Sequence, residues 1–250
     1  MAELLTIYGI HAAQAFFENA ASRVVNVWFD RQRVDNKLVQ LKAALGELGL
    51  PYQDEDKKTL DKLAKGGNHQ GVVITARLPQ ELAEDALKKA LKQTKGNAFY
   101  LVLDQVTDPH NLGACLRTAL AAGVQGVIVP KDNACRINAT VCKVASGAAE
   151  LLPVYRVTNL SRTLKWLKTV GVWLSGAAGE AEKSIFSAEL SGSVAIVMGA
   201  EGKGLRKLTQ QQCDQLIKIP MTANTESLNV SVAAGIILYE VVRQNGIVSI

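Results

Sequence analysis

The sequence predicts an α/β protein in two parts. A small α/β/α unit spans residues 1–76, a helical connector spans 77–97, and a larger unit with a mostly parallel sheet spans 98–250. Three observations carry this reading. After residue 98, short apolar runs alternate with helical segments, the mark of βα units. Between the halves, Pro79 to Lys92 is rich in helix formers and runs from acidic to basic, as the helix dipole favours. Near the C-terminus, a long polar run separates an apolar strand from an apolar helix. At 250 residues, 48% hydrophobic and 20% charged, the chain has enough apolar material to fold and is not a disordered polyelectrolyte.

In the first unit a helix is expected from His11 to Ala20, then the strand Val24–Phe29 and a helix from Asn36 to Leu48. A turn at Gly49–Tyr52, a helix near Lys57–Ala64 and the strand Gly71–Ile74 complete it. Gly96 and Asn97 close the connector helix. The strand Phe99–Leu103 then leads to a helix over Pro109–Ala122, and Gly126–Val129 to a helix near Ala139–Ser146. Strand Leu152–Val157, helix Leu160–Val170 and strand Val172–Leu174 follow. The last elements are strand Val194–Met198, a helix near Leu205–Asp214, strand Leu216–Ile219 and a helix from Val230 to Arg243.

A net charge of +5, from 28 Lys+Arg against 23 Asp+Glu, suits a polyanion partner without proving one. Cys115, Cys135, Cys142 and Cys213 form no C-x-x-C pair, which fits reduced thiols and neither a zinc site nor a disulfide framework. No secretory signal opens the chain, and the stretch Val230–Val242 is too short to cross a bilayer. The expectation is a cytoplasmic protein with no membrane partner and no metal.

Three unusual segments follow strand ends, where parallel sheets place ligand chemistry. In the first, Asp108 and Pro109 have the form of an N-cap and first helical residue, and Gly113 and Arg117 share a helix face. The plain alternative is that Gly113 permits close packing and Arg117 meets water. The second, Gly199-Ala200-Glu201-Gly202-Lys203-Gly204, is neither a dinucleotide fingerprint nor a phosphate loop. It is a tight turn or a place where backbone amides meet a ligand. The third runs from Ile219-Pro220-Met221 to Ser227-Leu228-Asn229-Val230-Ser231, with seven hydrogen-bonding side chains. A helix cap at Ser227 or Asn229 explains one or two of these; a binding site explains the rest.

Asn111-x-Gly113-x-x-x-Arg117, Gly199-x-Glu201-Gly202-x-Gly204 and the Ile219–Ser231 segment, in that order, resemble the three motifs of the SpoU class of RNA ribose 2′-O-methyltransferases, in the SPOUT superfamily. Tyr8-Gly9-x-His11 and His69-Gln70-Gly71-Val72 are similar to the L30e-like substrate domain carried by some members. The resemblance implies a C-terminal α/β-knot domain with a deep trefoil knot, an S-adenosylmethionine pocket within it, and a homodimer that builds the active site. It implies methylation of a specific guanosine ribose in 23S ribosomal RNA, free or in an assembling large-subunit particle. By motif position, Gly199, Glu201, Gly202, Ile219, Met221 and Leu228 would bind the cofactor. Asn111, Arg117, Glu201, Ser227 and Asn229 would form the catalytic and substrate-facing set.

Methyl transfer from a sulfonium to a hydroxyl needs in-line orientation and help with the 2′ proton. A guanidinium keeps its proton, so Arg117 is expected to stabilise the developing alkoxide and grip a phosphate, not to act as a base. His110, beside Asn111, is the rival base, although it lies outside the motif. Arg23, Arg31, Arg33 and Lys37 are the expected RNA-facing patch of the first unit, or else a solvated surface; Trp28 and Phe29 are expected in its core, and His11 and His69 to be structural or RNA-facing. A transfer-RNA ribose methylase and a non-catalytic rRNA-binding assembly factor are the competing functions.

Overall fold

The computed structural model describes residues 4–200, 202, 204–222 and 227–246. The chain divides into two compact units, Met1–Pro79 and Gln80–Ile250.

The first unit contains β1 (Leu4–Tyr8), α1 (Ile10–Ala20), β2 (Val24–Asp30), α2 (Asn36–Glu47), β3 (Gln53–Glu55), α3 (Lys57–Leu63) and β4 (Val72–Arg77). Its sheet has the order β1-β4-β2-β3, antiparallel except for the β2–β3 pair. Strand alternation sorts the core. Val72 and Ile74 pack with Phe17, Phe29, Leu38, Leu41 and Leu45, whereas Val73 points the other way to Leu60 and Ala64. Helices therefore cover both faces, giving the expected α/β/α layering. Asp35 caps α2 by accepting from the Lys37 N–H, and Asp56 caps α3 through the Thr59 N–H.

His69 is buried and structural. Its Nδ1 accepts the Gly71 N–H at 3.0 Å, which leaves Nε2–H to donate to Asp61 at 3.1 Å. Phe29 is a core residue; Trp28 is half-buried and donates its Nε1–H to Gln53. The residues of the expected basic patch lie at the two ends of β2. Arg23 precedes the seven-residue β2, and Arg31, Arg33 and Lys37 follow it, a separation of roughly 20 Å at about 3.3 Å per residue.

The second unit begins with β5 (Leu82–Ala83), α4 (Glu84–Gln93), β6 (Phe99–Leu103), α5 (Pro109–Ala121) and β7 (Gly126–Pro130). It continues through α6 (Ala139–Ala145), α7 (Ala148–Leu151), β8 (Val154–Val157), α8 (Leu160–Thr169), β9 (Trp173–Ala177) and β10 (Lys183–Ser184). It ends with β11 (Val194–Met198), α9 (Lys207–Gln210), β12 (Gln215–Lys218) and α10 (Val230–Asn245). The sheet order is β10-β12-β9-β11-β6-β7-β8-β5, and every pairing is parallel. All five residues of β6, β7 and β11 are buried, as a sheet covered on both faces requires. On one face, Tyr100, Val102, Ile128, Ala195 and Val197 pack against Leu87 of α4 and Leu160, Leu164 and Leu167 of α8. Residues 80–97 are thus built into the second unit, with β5 paired to β8.

Two of the boundaries that moved are set by distant neighbours. β9 runs on to Ala177 through Ser175 and Gly176; a side chain at Gly176 would collide with Cys213 and Leu216, so the neighbouring chain demands glycine there. α9 stops at Gln210 because the chain must drop into β12, where Asp214 exchanges hydrogen bonds with the backbone of Leu174.

Candidate active site

Strand order reverses beside β6: β7 and β8 lie on one side, β11 and β9 on the other. Open parallel sheets form a crevice at such a point, at the carboxyl ends of their strands. A cavity of about 330 Å³ lies at the carboxyl ends of β9, β11 and β12. Its lining comes from Ala177–Glu180, from Met198–Ala200 with Gly202, Gly204 and Leu205, and from Ile217–Ile219 with Met221. Ser227, Leu228 and the first turns of α10 complete it. The size lies at the small end of ligand pockets, and Met198, Ile217, Val230 and Ile237 give it an apolar side.

The glycine turn after β11 folds back on itself. Ala200 and Gly204 exchange backbone hydrogen bonds of 2.9 and 3.2 Å. A Cβ on Gly199 would lie 2.1 Å from the carbonyl carbon of Gly204, so no other residue fits there without opening the turn. Gly202 and Gly204 adopt left-handed φ values of 74° and 64°, and an added Cβ on either would meet no atom within 4 Å. Their bare backbone borders the cavity, which suits a close-fitting organic ligand.

The motif loop after β6 joins the same rim through α10. Asn229 caps α10: its Oδ1 accepts the Ser231 N–H at 2.9 Å, which fixes the amide orientation. Its Nδ2 then donates to Asn111 Oδ1 at 2.8 Å. Asn111 is buried in the first turn of α5, which Asp108 caps and Pro109 opens. Gly113 lies against α6, where a Cβ would come 2.8 Å from both the Val141 carbonyl and the Val144 side chain. Its close-packing reading therefore holds. Arg117, one turn further on, is exposed and makes no hydrogen bond or ion pair among the described residues. His110 is exposed, and its backbone N–H completes the Asp108 cap.

Of the residues singled out in the sequence, Gly199, Gly202, Ile219, Met221, Ser227 and Leu228 line the cavity, and Asn111 and Asn229 are bonded to each other beside it. Glu201 lies outside the described residues, so its expected double role is not placed. The sequence reading missed Ala177–Glu180, which form one wall; the signal was the run of small residues Ser175-Gly176-Ala177-Ala178-Gly179 continuing an apolar strand. Among the described residues no three His, Cys, Asp or Glu side chains gather as metal ligands would, and no helix is long and apolar enough to span a membrane.

Known proteins share this arrangement. The family described as "SpoU rRNA Methylase family" matches residues 98–239, and that described as "RNA 2'-O ribose methyltransferase substrate binding" matches residues 6–82. The chain is 50% identical over 238 residues to the 23S rRNA (guanosine-2'-O-)-methyltransferase RlmB of Vibrio parahaemolyticus, covering 95% of this chain and 96% of the relative. A solved RNA 2'-O ribose methyltransferase superposes with a TM-score of 0.75 at 28% identity, over 97% of this chain and 89% of that one. The fold also matches AviRb, the SpoU methyltransferase of Streptomyces viridochromogenes, in its complex with AdoMet. There the TM-score is 0.77 at 21% identity, over 96% of this chain and 90% of that one. The two-unit plan, the parallel sheet with its rim cavity and these matches lead to one conclusion: the chain belongs to the SpoU rRNA methylase family.

Proposed function

We propose that this protein transfers a methyl group from S-adenosylmethionine to the ribose 2′-hydroxyl of one guanosine in 23S ribosomal RNA. The observation that carries it is the half-identity, over nearly the whole of both chains, to a relative named for that reaction. The cavity supplies the physical support. Bound there, the cofactor supplies an electrophilic methyl on a cationic sulfur, whose charge vanishes on transfer. An apolar wall beside the sulfur, as Met198, Ile217 and Ile237 would provide, favours that loss of charge. Gly199, Gly202, Ile219, Met221 and Leu228 are assigned to holding the cofactor, chiefly through backbone groups.

Asn111 and Asn229 hold the start of α5 against the start of α10, so the two motif segments keep fixed positions at the rim. Arg117 is assigned to the substrate side. It steadies the developing alkoxide and the neighbouring phosphate while the 2′ proton leaves. Glu201 and Ser227 complete the polar set by motif position. Two copies pair through α10, whose exposed Val232, Ile236 and Tyr239 recur at helical spacing and form an apolar stripe. The first unit selects the nucleotide, the knotted path is carried over from the family, and the location is the cytoplasm with the ribosomal substrate.

Mass-spectrometric mapping of ribose methylation in cellular RNA, with and without the gene, tests the assignment. One missing methylguanosine in 23S rRNA is the expected result. A methyl group lost from transfer RNA instead, with rRNA intact, would replace this reading by the transfer-RNA one. Arg117→Lys is expected to cut turnover roughly 100-fold with unchanged thermal stability, as loss of a fixed donor to a developing oxyanion does.

A further inference from the structure

A second cavity, of about 340 Å³, opens on the same rim but on the far side of α9. It lies beyond the ends of β7 and β8, and its lining includes Pro130, Asp132, Asn159, Ser161, Arg206 and Lys207. The two cavities share one wall: Leu205 and Gln210 face the first, and Arg206 to Thr209 face the second.

Arg206 is held in an unusual way. Asp104, at the end of β6, is fully buried, and a buried carboxylate is costly unless paired. Arg206 pairs with it through Nη2 at 2.6 Å and Nε at 3.1 Å, and Thr209 donates its hydroxyl at 2.7 Å. The guanidinium is thereby locked in direction, yet its side chain remains 43% exposed. A guanidinium has five N–H donors, and Nη1 has no partner among the described residues. Lys207, exposed beside it, makes no ion pair among the described residues. Asp132 is the one acidic residue of this lining.

We propose that this second cavity seats a phosphodiester of the substrate RNA, gripped by Arg206 and Lys207. A cation immobilised by a buried carboxylate loses little freedom on binding an anion, and a planar fork matches phosphate geometry. The position, one short helix away from the cofactor cavity, is where backbone flanking the reacting ribose would pass. The proposal rests on the RNA-methylating function and adds residues that none of the three family motifs contributes.

The test is the salt dependence of 23S rRNA binding by the full-length protein, for wild type, Lys207→Ala, Arg206→Lys and the control Lys165→Ala on the exposed face of α8. Arg206→Lys keeps a cation opposite Asp104, so folding is preserved. Each lost phosphate contact should flatten the plot of log affinity against log salt by about 0.7–0.9. Lys207→Ala should weaken binding several-fold at low salt with that change of slope, Arg206→Lys should weaken it too, and Lys165→Ala should do neither. S-adenosylmethionine affinity by calorimetry should stay at the wild-type value in Lys207→Ala. An unchanged slope in Lys207→Ala together with unchanged affinity in Arg206→Lys, with wild-type methylation intact, overturns the phosphate site alone. Saturable uptake of inorganic phosphate without any change in RNA affinity also overturns it. Wild-type protein that binds rRNA but leaves it unmethylated sinks the parent function, and the slopes still decide the site.

Discussion

Two arginines on the same sheet edge do opposite work. Arg156, in β8, pairs with Glu81 through Nε at 2.6 Å and Nη2 at 2.7 Å. Its other hydrogen bonds go to the carbonyls of Pro130, Lys131 and Cys135, and Glu81 also accepts the Ile137 N–H. All three guanidinium nitrogens are engaged and the side chain is only 9% exposed, so Arg156 is a strut that holds the 131–137 loop to the sheet. Arg206 makes the same kind of pair with Asp104 but directs only part of its fork inward. The difference lies in how many donors the fold consumes: a satisfied guanidinium is structure, and a half-satisfied one is a receptor.

The comparison breaks most visibly at the strut. Arg156→Met leaves Glu81, 15% exposed, without its counter-charge, and about 3 kcal/mol of stability, the low end for a buried pair, should be lost. Urea unfolding reads this, and the salt slope of RNA binding in the folded fraction should stay put. Asp104→Asn is the sharper cut at the receptor. It removes the anchoring charge but keeps shape, so about 1.5–3 kcal/mol should go, together with RNA affinity, because Arg206 is released. A result in which Asp104→Asn costs stability but leaves RNA binding unchanged would make Arg206 a second strut. Gly113→Ala, away from both pairs, should cost about 1–3 kcal/mol by pushing α5 off α6, with no selective effect on RNA.

A separate effect is in pH. Burial pushes the thiols of Cys115 and Cys213 up to about 12 from 9.0. In the unfolded chain they ionise near 9, so there the unfolded state binds fewer protons than the folded one. Stability should therefore decline as pH rises from 9 towards 12. Alanine at both positions should flatten that limb of a denaturation series.

Much of this architecture was legible in the chain. Strands β6 and β11 were read to their limits because parallel strands buried on both faces are continuous apolar runs. The cap at Asp108 with Pro109 was equally plain, being a local signal. What escaped was set by distant neighbours. β9 passes through Ser175 and Gly176 because Gln215 and Cys213 lie against it, and no window of sequence contains that information. The short strands β5 and β10 owe their conformation to partners, not to their own two residues. The motif residues were found because seven polar side chains between two apolar elements needed a reason. Asp104 and Arg206, 102 residues apart, carried no such flag; only the fold pairs them.

The hydrogen bond between Asn111 and Asn229 joins residues 118 positions apart, and α10 forms part of the wall of the rim cavity. While the chain is being synthesised, the described strands of the first unit emerge long before α10. Domains that fold as they appear would place an ordered first unit on the nascent polypeptide while the rim cavity still lacks a side. The cavity is therefore complete only once α10 has joined the second unit.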